Sequence, residues 1–201
     1  MAQQSIGGQA RERRTLWLVL LLNAGLAGAL LAVGAVADSS ALIANGLDNL
    51  ADAAVYAIGL AALRRSRAWK TGAAMVSGVM LLLFAIGVLI DVGRRVIESS
   101  EPVGPVMMGM AAIAAVINWV CLRRLQQLEA PDVNLRAATT FSFNDFISNG
   151  GILIAGALVL VLGQRWPDLV VGLATILVSV GGGIDILRDA LGEARSRDDG
   201  A

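Results

Sequence analysis

The chain has 201 residues, of which 56% are hydrophobic and only 16% charged, against roughly 25% charged in an average soluble domain. Sixteen basic residues balance sixteen acidic ones, histidine is absent, and there is a single cysteine. These totals exclude a nucleic-acid binder working through a basic surface, a disordered chain, an internal disulfide, a zinc centre of the Cys/His type and catalysis by a histidine base. An all-α integral membrane protein remains.

A bilayer core about 30 Å thick needs about 20 apolar residues of helix. The first candidate is Thr15 to Ala37, free of charge and preceded by Arg11, Arg13 and Arg14. Basic residues, an apolar run and Ala35-Val36-Ala37 also resemble a secretory signal with its cleavage site. The run is longer than a signal core of about 7–15 residues, so it reads as a first span. Ala41 to Leu63 is apolar except for Asp48 and Asp52, with polar residues at both ends, and reads as the second. Thr71 to Ile90, Pro102 to Leu122 and Phe146 to Gln164 are free of charge, and Leu169 to Ile184 continues helically through Leu187. The count is six transmembrane helices, spanning residues 15–191 between tails at 1–14 and 192–201, the second tail polar and frayed.

The basic residues test that count. Six spans place both termini on one side, together with the connections after spans 2 and 4. That side holds thirteen of the sixteen basic residues, and the other keeps only Arg94, Arg95 and Arg165. The positive-inside rule then makes both termini cytoplasmic.

An ionisable group at mid-membrane costs roughly 2.5–3.5 kcal/mol on insertion scales, so it marks a function. Asp48 and Asp52 are four apart and share a face of span 2. Asn45 and Tyr56 extend that face by a turn at each end. Span 5 carries a second polar group, Thr139, Thr140, Ser142, Asn144, Asp145, Ser148 and Asn149, in which Asp145 and Asn149 again share a face. Three carboxylates cannot all stay charged in a dry site without a partner. A divalent cation would neutralise two of them, and protons can replace it when it leaves. Other polar residues have plainer readings. Asn23 and Asn118 suit interhelical hydrogen bonds. Asp91 with Arg94 and Arg95 forms an interfacial cluster. Cys121 and the methionines Met107, Met108 and Met110 are packing residues. Gly25 with Gly28, and the run Gly181 to Gly183, suit close helix approach.

At this point the sequence resembles a family. Ser40-Ala-Leu-Ile-Ala-Asn-Gly-Leu-Asp48-Asn-Leu-Ala-Asp52 is similar to the second helix of cation diffusion facilitators, six-helix exporters of divalent metals. Phe141-Ser-Phe-Asn-Asp145-Phe-Ile-Ser-Asn149-Gly is similar to their fifth helix, and Trp166-Pro-Asp-Leu-Val-Val-Gly172 to their entry into the sixth. The resemblance implies a transport site of four side chains from helices 2 and 5. Asp48, Asp52 and Asp145 match three of them. The fourth position falls on Phe141, which cannot bind a metal. Asn149 is then the first candidate to complete the site, followed by Asn144 and Asn45, or water. An all-oxygen site leans toward harder ions such as manganese, iron(II) or cobalt, while zinc and cadmium are not distinguished from them.

The expected function is therefore efflux of a divalent metal cation by exchange for protons and alternating access. No prosthetic group, enzymatic activity or nucleic-acid partner is expected. The resemblance further implies a homodimer, here held by the membrane helices themselves, with Met80 to Phe84 as a candidate surface, in the inner membrane of a bacterium. Two alternatives stay open: a proton-coupled carrier of another solute, and a helical partner protein that does not transport.

Overall fold

The computed structural model describes residues 2–62, 67–128 and 133–198; side chains at 2–9, 59, 62, 67–68, 70, 73, 133–142, 144 and 193–198 lie outside the description. Six helices follow in chain order: α1 (Ala2–Val36), α2 (Ser40–Ala62), α3 (Arg67–Glu98), α4 (Gly104–Gln126), α5 (Val133–Leu162) and α6 (Trp166–Asp198). Five of them are long and apolar enough to cross a membrane, over Ala10–Val36, Ala74–Glu98, Gly104–Gln126, Asp145–Leu162 and Trp166–Gly192. The sixth, α2, spans 23 residues and bears the two aspartates expected in span 2. The chain is a multi-pass helical membrane protein.

The helices outrun the apolar stretches. α1 starts at Ala2 and α6 continues to Asp198, so the segments read as tails are helical extensions, and the C-terminal one is not frayed before Asp198. α5 likewise starts at Val133 and takes in the polar stretch before Asp145. Polar composition sets where a helix leaves the bilayer. It does not end the helix, because i→i−4 bonding continues through helix formers such as Gln, Ala, Arg and Glu.

The bundle is assembled from side-by-side pairs: α1 with α2, α4 with α5, and α3 with α6. Among the described residues, α2 alone touches all five other helices. A helix in that position meets little lipid, which is why a strongly polar span is tolerated there. One apolar cluster joins α1, α2, α4 and α5 through Leu26, Leu30, Leu42, Met107 and Ile152. A second joins Val19, Tyr56, Cys121 and Leu125, and a third joins α2, α3 and α6 through Ala44, Ala85, Val88 and Ile176. Met107 and Cys121 thus pack as expected.

Close approach depends on Gly183, from the run expected in α6, and on glycines that the sequence did not single out. Gly25, Gly28 and Gly181 have open space where a Cβ would stand. The tight crossings are Gly78 with Gly183 between α3 and α6, and Gly104 with Gly156 between α4 and α5. A Cβ at Gly104 would stand 2.5 Å from the Gly156 carbonyl oxygen. That obstacle is backbone, so Gly104→Ala must push α4 and α5 apart. A loss of about 1–3 kcal/mol is expected, read as a lowered Tm in detergent. Gly109→Ala, with nothing within 4 Å, should leave Tm unchanged or raise it slightly, because alanine is the better helix former.

The end of the bundle away from the termini is tied by polar contacts. Four amides at a helix start have no partner within the helix. At α2, Ser40 N and Ala41 N donate to the Asp168 carboxylate at 2.8 and 3.1 Å, Leu42 N donates to Ser39 Oγ at 3.1 Å, and Ile43 N donates to Ser39 O at 3.2 Å. Ser39 Oγ in turn donates to Asp168. Beside this, the buried Arg95 donates to Asp91 at 2.7 Å and pairs with Asp38 in the α1–α2 turn. Glu101 N donates to the same Asp38 carboxylate at 2.8 Å. Asp38 has φ 52°, a left-handed geometry that aspartate accepts more readily than most residues. Asp91, Arg94 and Arg95 form the ion-pair cluster that the sequence suggested.

A candidate cation site between α2, α5 and α6

Because Asp168, near the start of α6, binds the start of α2, the two helices begin at the same end and run in the same direction. Counting from that end, Asp48 lies about 12 Å along α2 and Asp52 one turn farther, at a rise of about 1.5 Å per residue. This depth matches the middle of a bilayer core. α5 runs the opposite way and brings Asp145 to the same level. Asp145 stands within hydrogen-bonding reach of both Asp48 and Asp52. Asp52 and Asp145 are buried, 6% and 2% exposed.

All three carboxylates line one cavity of about 390 Å3, together with Ser77, Leu81, Ser179, Gly181, Gly182 and Asp185. Glycines at 181 and 182 leave the α6 wall without side chains. The cavity extends from the carboxylates toward the end of the bundle that carries the termini, where Asp185 is exposed. At the other end the contacts of Asp168 and Arg95 close the bundle.

The polar partners sort by direction. Asp48 accepts from Ser179 Oγ on α6 at 3.0 Å. Asp145 accepts a long 3.4 Å bond from Asn118 Nδ2 on α4. Asn45 Nδ2 donates to Asn149 Oδ1 at 2.7 Å, and Asn149 Nδ2 donates to the Asp145 carbonyl at 2.8 Å. The two asparagines expected as helpers are thus bonded to each other beside the carboxylates. Asn49 Nδ2 donates to Asn45 O and Oδ1. Two buried acceptors here have no hydrogen-bond partner among the described residues, Asp52 Oδ2 and Asn49 Oδ1.

The single polar edge expected along α2 therefore divides. At 100° per residue, Asn45, Asn49, Asp52 and Tyr56 cluster within about 60° of arc, and Asp48 lies about 40° outside it. Tyr56 packs with α1 and α4 residues, Asn45 meets α5, and Asp48 meets α6. Asn49 was passed over in the sequence although its spacing of four from Asn45 was a usable signal. Ser179 and Asn118 carried no such signal, since an isolated serine or asparagine in a membrane helix is usually interhelical glue. Asn118 does serve that way. Asn23 does so as well, donating across to Cys121 Sγ on α4 at 3.8 Å, besides donating to Val19 O of its own helix at 2.9 Å. The side chains of Phe141 and Asn144 lie outside the described residues.

Among the described residues, no three Asp, Glu, Cys or His side chains stand in the ready-made arrangement of a metal centre. The three aspartates share a cavity rather than a closed coordination shell. Carboxylates this close in a dry site need a cation or protons between them. A helical bundle that crosses the membrane several times and buries such a cavity at mid-depth has the build of an ion transporter. Residues 16–193 match the family model of the cation efflux transmembrane domain. The chain belongs to this family and is a cation efflux transporter, with a metal cation as its substrate. A comparison with curated proteins finds no match.

Proposed function

We propose that Asp48, Asp52 and Asp145 bind a divalent metal cation as cargo and release it on the far side of the membrane in exchange for protons. The observation that carries this reading is one cavity lined by three carboxylates from two helices, one of which has a buried oxygen without a partner. An oxygen-only set suits manganese, iron(II) or cobalt. A transport site must also give up its cargo. Three aspartates that draw together only around a cation meet that need better than a rigid cage does, and protons arriving on the same oxygens favour release. Asn149 and Asn45, bonded to each other, hold α5 against α2 beside the carboxylates and carry further neutral oxygens. The cavity reaches toward the basic, cytoplasmic end while Asp168 and Arg95 hold the opposite end shut, so this conformation is the one that loads from the cytoplasm.

The reading includes a homodimer held by the membrane helices. The surface expected at Met80 to Phe84 is revised, because Leu81 is buried and lines the cavity. The lipid-facing stripe of α3 is Val76, Val79, Leu83, Ile86 and Ile90, and the dimer contact belongs there. The deciding experiment for transport is cation flux in proteoliposomes with an imposed pH gradient. Wild-type protein should move a divalent cation against the proton gradient, and the Asp48→Ala, Asp52→Ala double variant should not. Equal flux in the two proteins refutes the reading.

A further inference from the structure

α6 presents two hydroxyl residues one turn apart toward α2, and they use their protons differently. Thr175 Oγ1 donates to the Val171 carbonyl of its own helix at 3.1 Å, the usual habit of such residues in membrane helices. Ser179 Oγ donates across the bundle to Asp48 Oδ1 at 3.0 Å. Ser179 is 8% exposed, lines the carboxylate cavity, and lies in a different helix from all three aspartates. Its bond engages one oxygen of Asp48 and fixes the plane of that carboxylate.

We infer that Ser179 is a positioning residue that sets cargo selectivity: by holding Asp48 Oδ1 it presents Asp48 to the cargo through one oxygen only. The inference rests on the reading that the three aspartates bind a cation, and adds to it which cations are refused. Calcium takes 6–8 oxygens at 2.3–2.6 Å and commonly draws both oxygens of a carboxylate. Manganese(II) takes six oxygens in an octahedral set, fewer than the eight calcium can draw, and a single oxygen from each carboxylate with water suffices for it. The α6 wall beyond Ser179 offers glycine at 181 and 182 and no side-chain oxygen before Asp185, so on that wall calcium finds no second carboxylate oxygen to replace the one Asp48 withholds. Turning Asp48 to chelate with both oxygens requires breaking the bond to Ser179.

The test uses the full chain in proteoliposomes, with manganese(II) as the transported probe, cobalt(II) as a second probe and calcium as the competitor. The quantity read is the calcium concentration that halves uptake, divided by the KM for the probe. Ser179→Ala should lower this ratio about tenfold, the worth of roughly one added ligand contact. Ser179→Thr keeps the hydroxyl and should restore the wild-type ratio. A general loss of packing lowers flux but leaves the ratio alone. An unchanged ratio in Ser179→Ala, or a ratio lowered equally in Ser179→Thr, overturns the inference while wild-type transport still stands. Wild-type protein that carries neither probe overturns both this inference and the transport reading beneath it.

Discussion

Asp145→Ala will stop cation transport while leaving the protein folded. Asp145 is the carboxylate that α5 contributes to the cavity, and it stands against both Asp48 and Asp52. Without it, the cavity keeps two aspartates of a single helix, and no ligand crosses between α2 and the α4–α5 pair. Loss of a residue that merely supports a metal ligand lowers affinity by 10–100-fold, so if Asp145 is a ligand, as proposed, its loss should lower flux by about 100-fold or more. Stability should hold or rise. Asp145 forms no ion pair among the described residues, the bond it accepts from Asn118 is long, and its other close polar neighbours, Asp48 and Asp52, are carboxyls like itself. Removing a buried carboxyl that has no cationic partner relieves desolvation and repulsion. Asp145→Asn separates charge from volume: it should match alanine in flux and wild type in size-exclusion profile and helical circular dichroism. Transport retained by either variant would remove α5 from the site.

Asp168→Ala should have the largest effect on stability. Its carboxylate is fully buried and accepts from Ser39 Oγ, Ser40 N and Ala41 N. Hydrogen bonds to a charged acceptor contribute about 1.5–3 kcal/mol each, and the donors left behind add a desolvation penalty, so a loss of about 3–5 kcal/mol is expected after allowing for non-additivity. The negative charge also faces the positive end of the α2 dipole. Asp168→Asn keeps one acceptor without the charge and should lose about half as much. Unfolding in detergent micelles, followed by circular dichroism, reads all three proteins. Asp185→Ala is the control: that aspartate is exposed and only loosely paired with Arg188 at 4.0 Å, so its variant should melt with the wild type. If Asp168→Ala also melts with the wild type, the start of α2 is held by something other than this carboxylate.

Much of the molecule was legible before any coordinates. Runs without charge located five spans. Length and polar ends located α2, which apolarity alone does not single out. The thirteen-to-three distribution of basic residues gave an expectation for the direction of every helix. Asp48, Asp52 and Asp145 stood out because a carboxyl group in a bilayer is too costly to persist without a use. Neutral groups escaped for the complementary reason. A serine or asparagine in a membrane helix costs little, so Ser179 and Asn49 looked like their neighbours, and Asn118 was marked as interhelical glue without its partner. Asp168 belonged to a family-like Trp-Pro-Asp entry and sat at a helix end, where aspartate is ordinary. Nothing in the chain announced that it closes the start of a different helix, 128 residues away.

The sequence alone determined six long helices and singled out the three carboxylates within them. Each follows from transfer free energy or from 3.6-residue periodicity, which are properties of one segment at a time. The partners of those carboxylates were decided only by tertiary structure. Asp48 faces Ser179 because α3 and α6 close tightly at Gly78 and Gly183 and carry α6 against α2. Asn45 faces Asn149 because α4 and α5 close at Gly104 and Gly156. Such closeness is a relation between two backbones, and a single strand of sequence does not state which of its 23 glycines will meet.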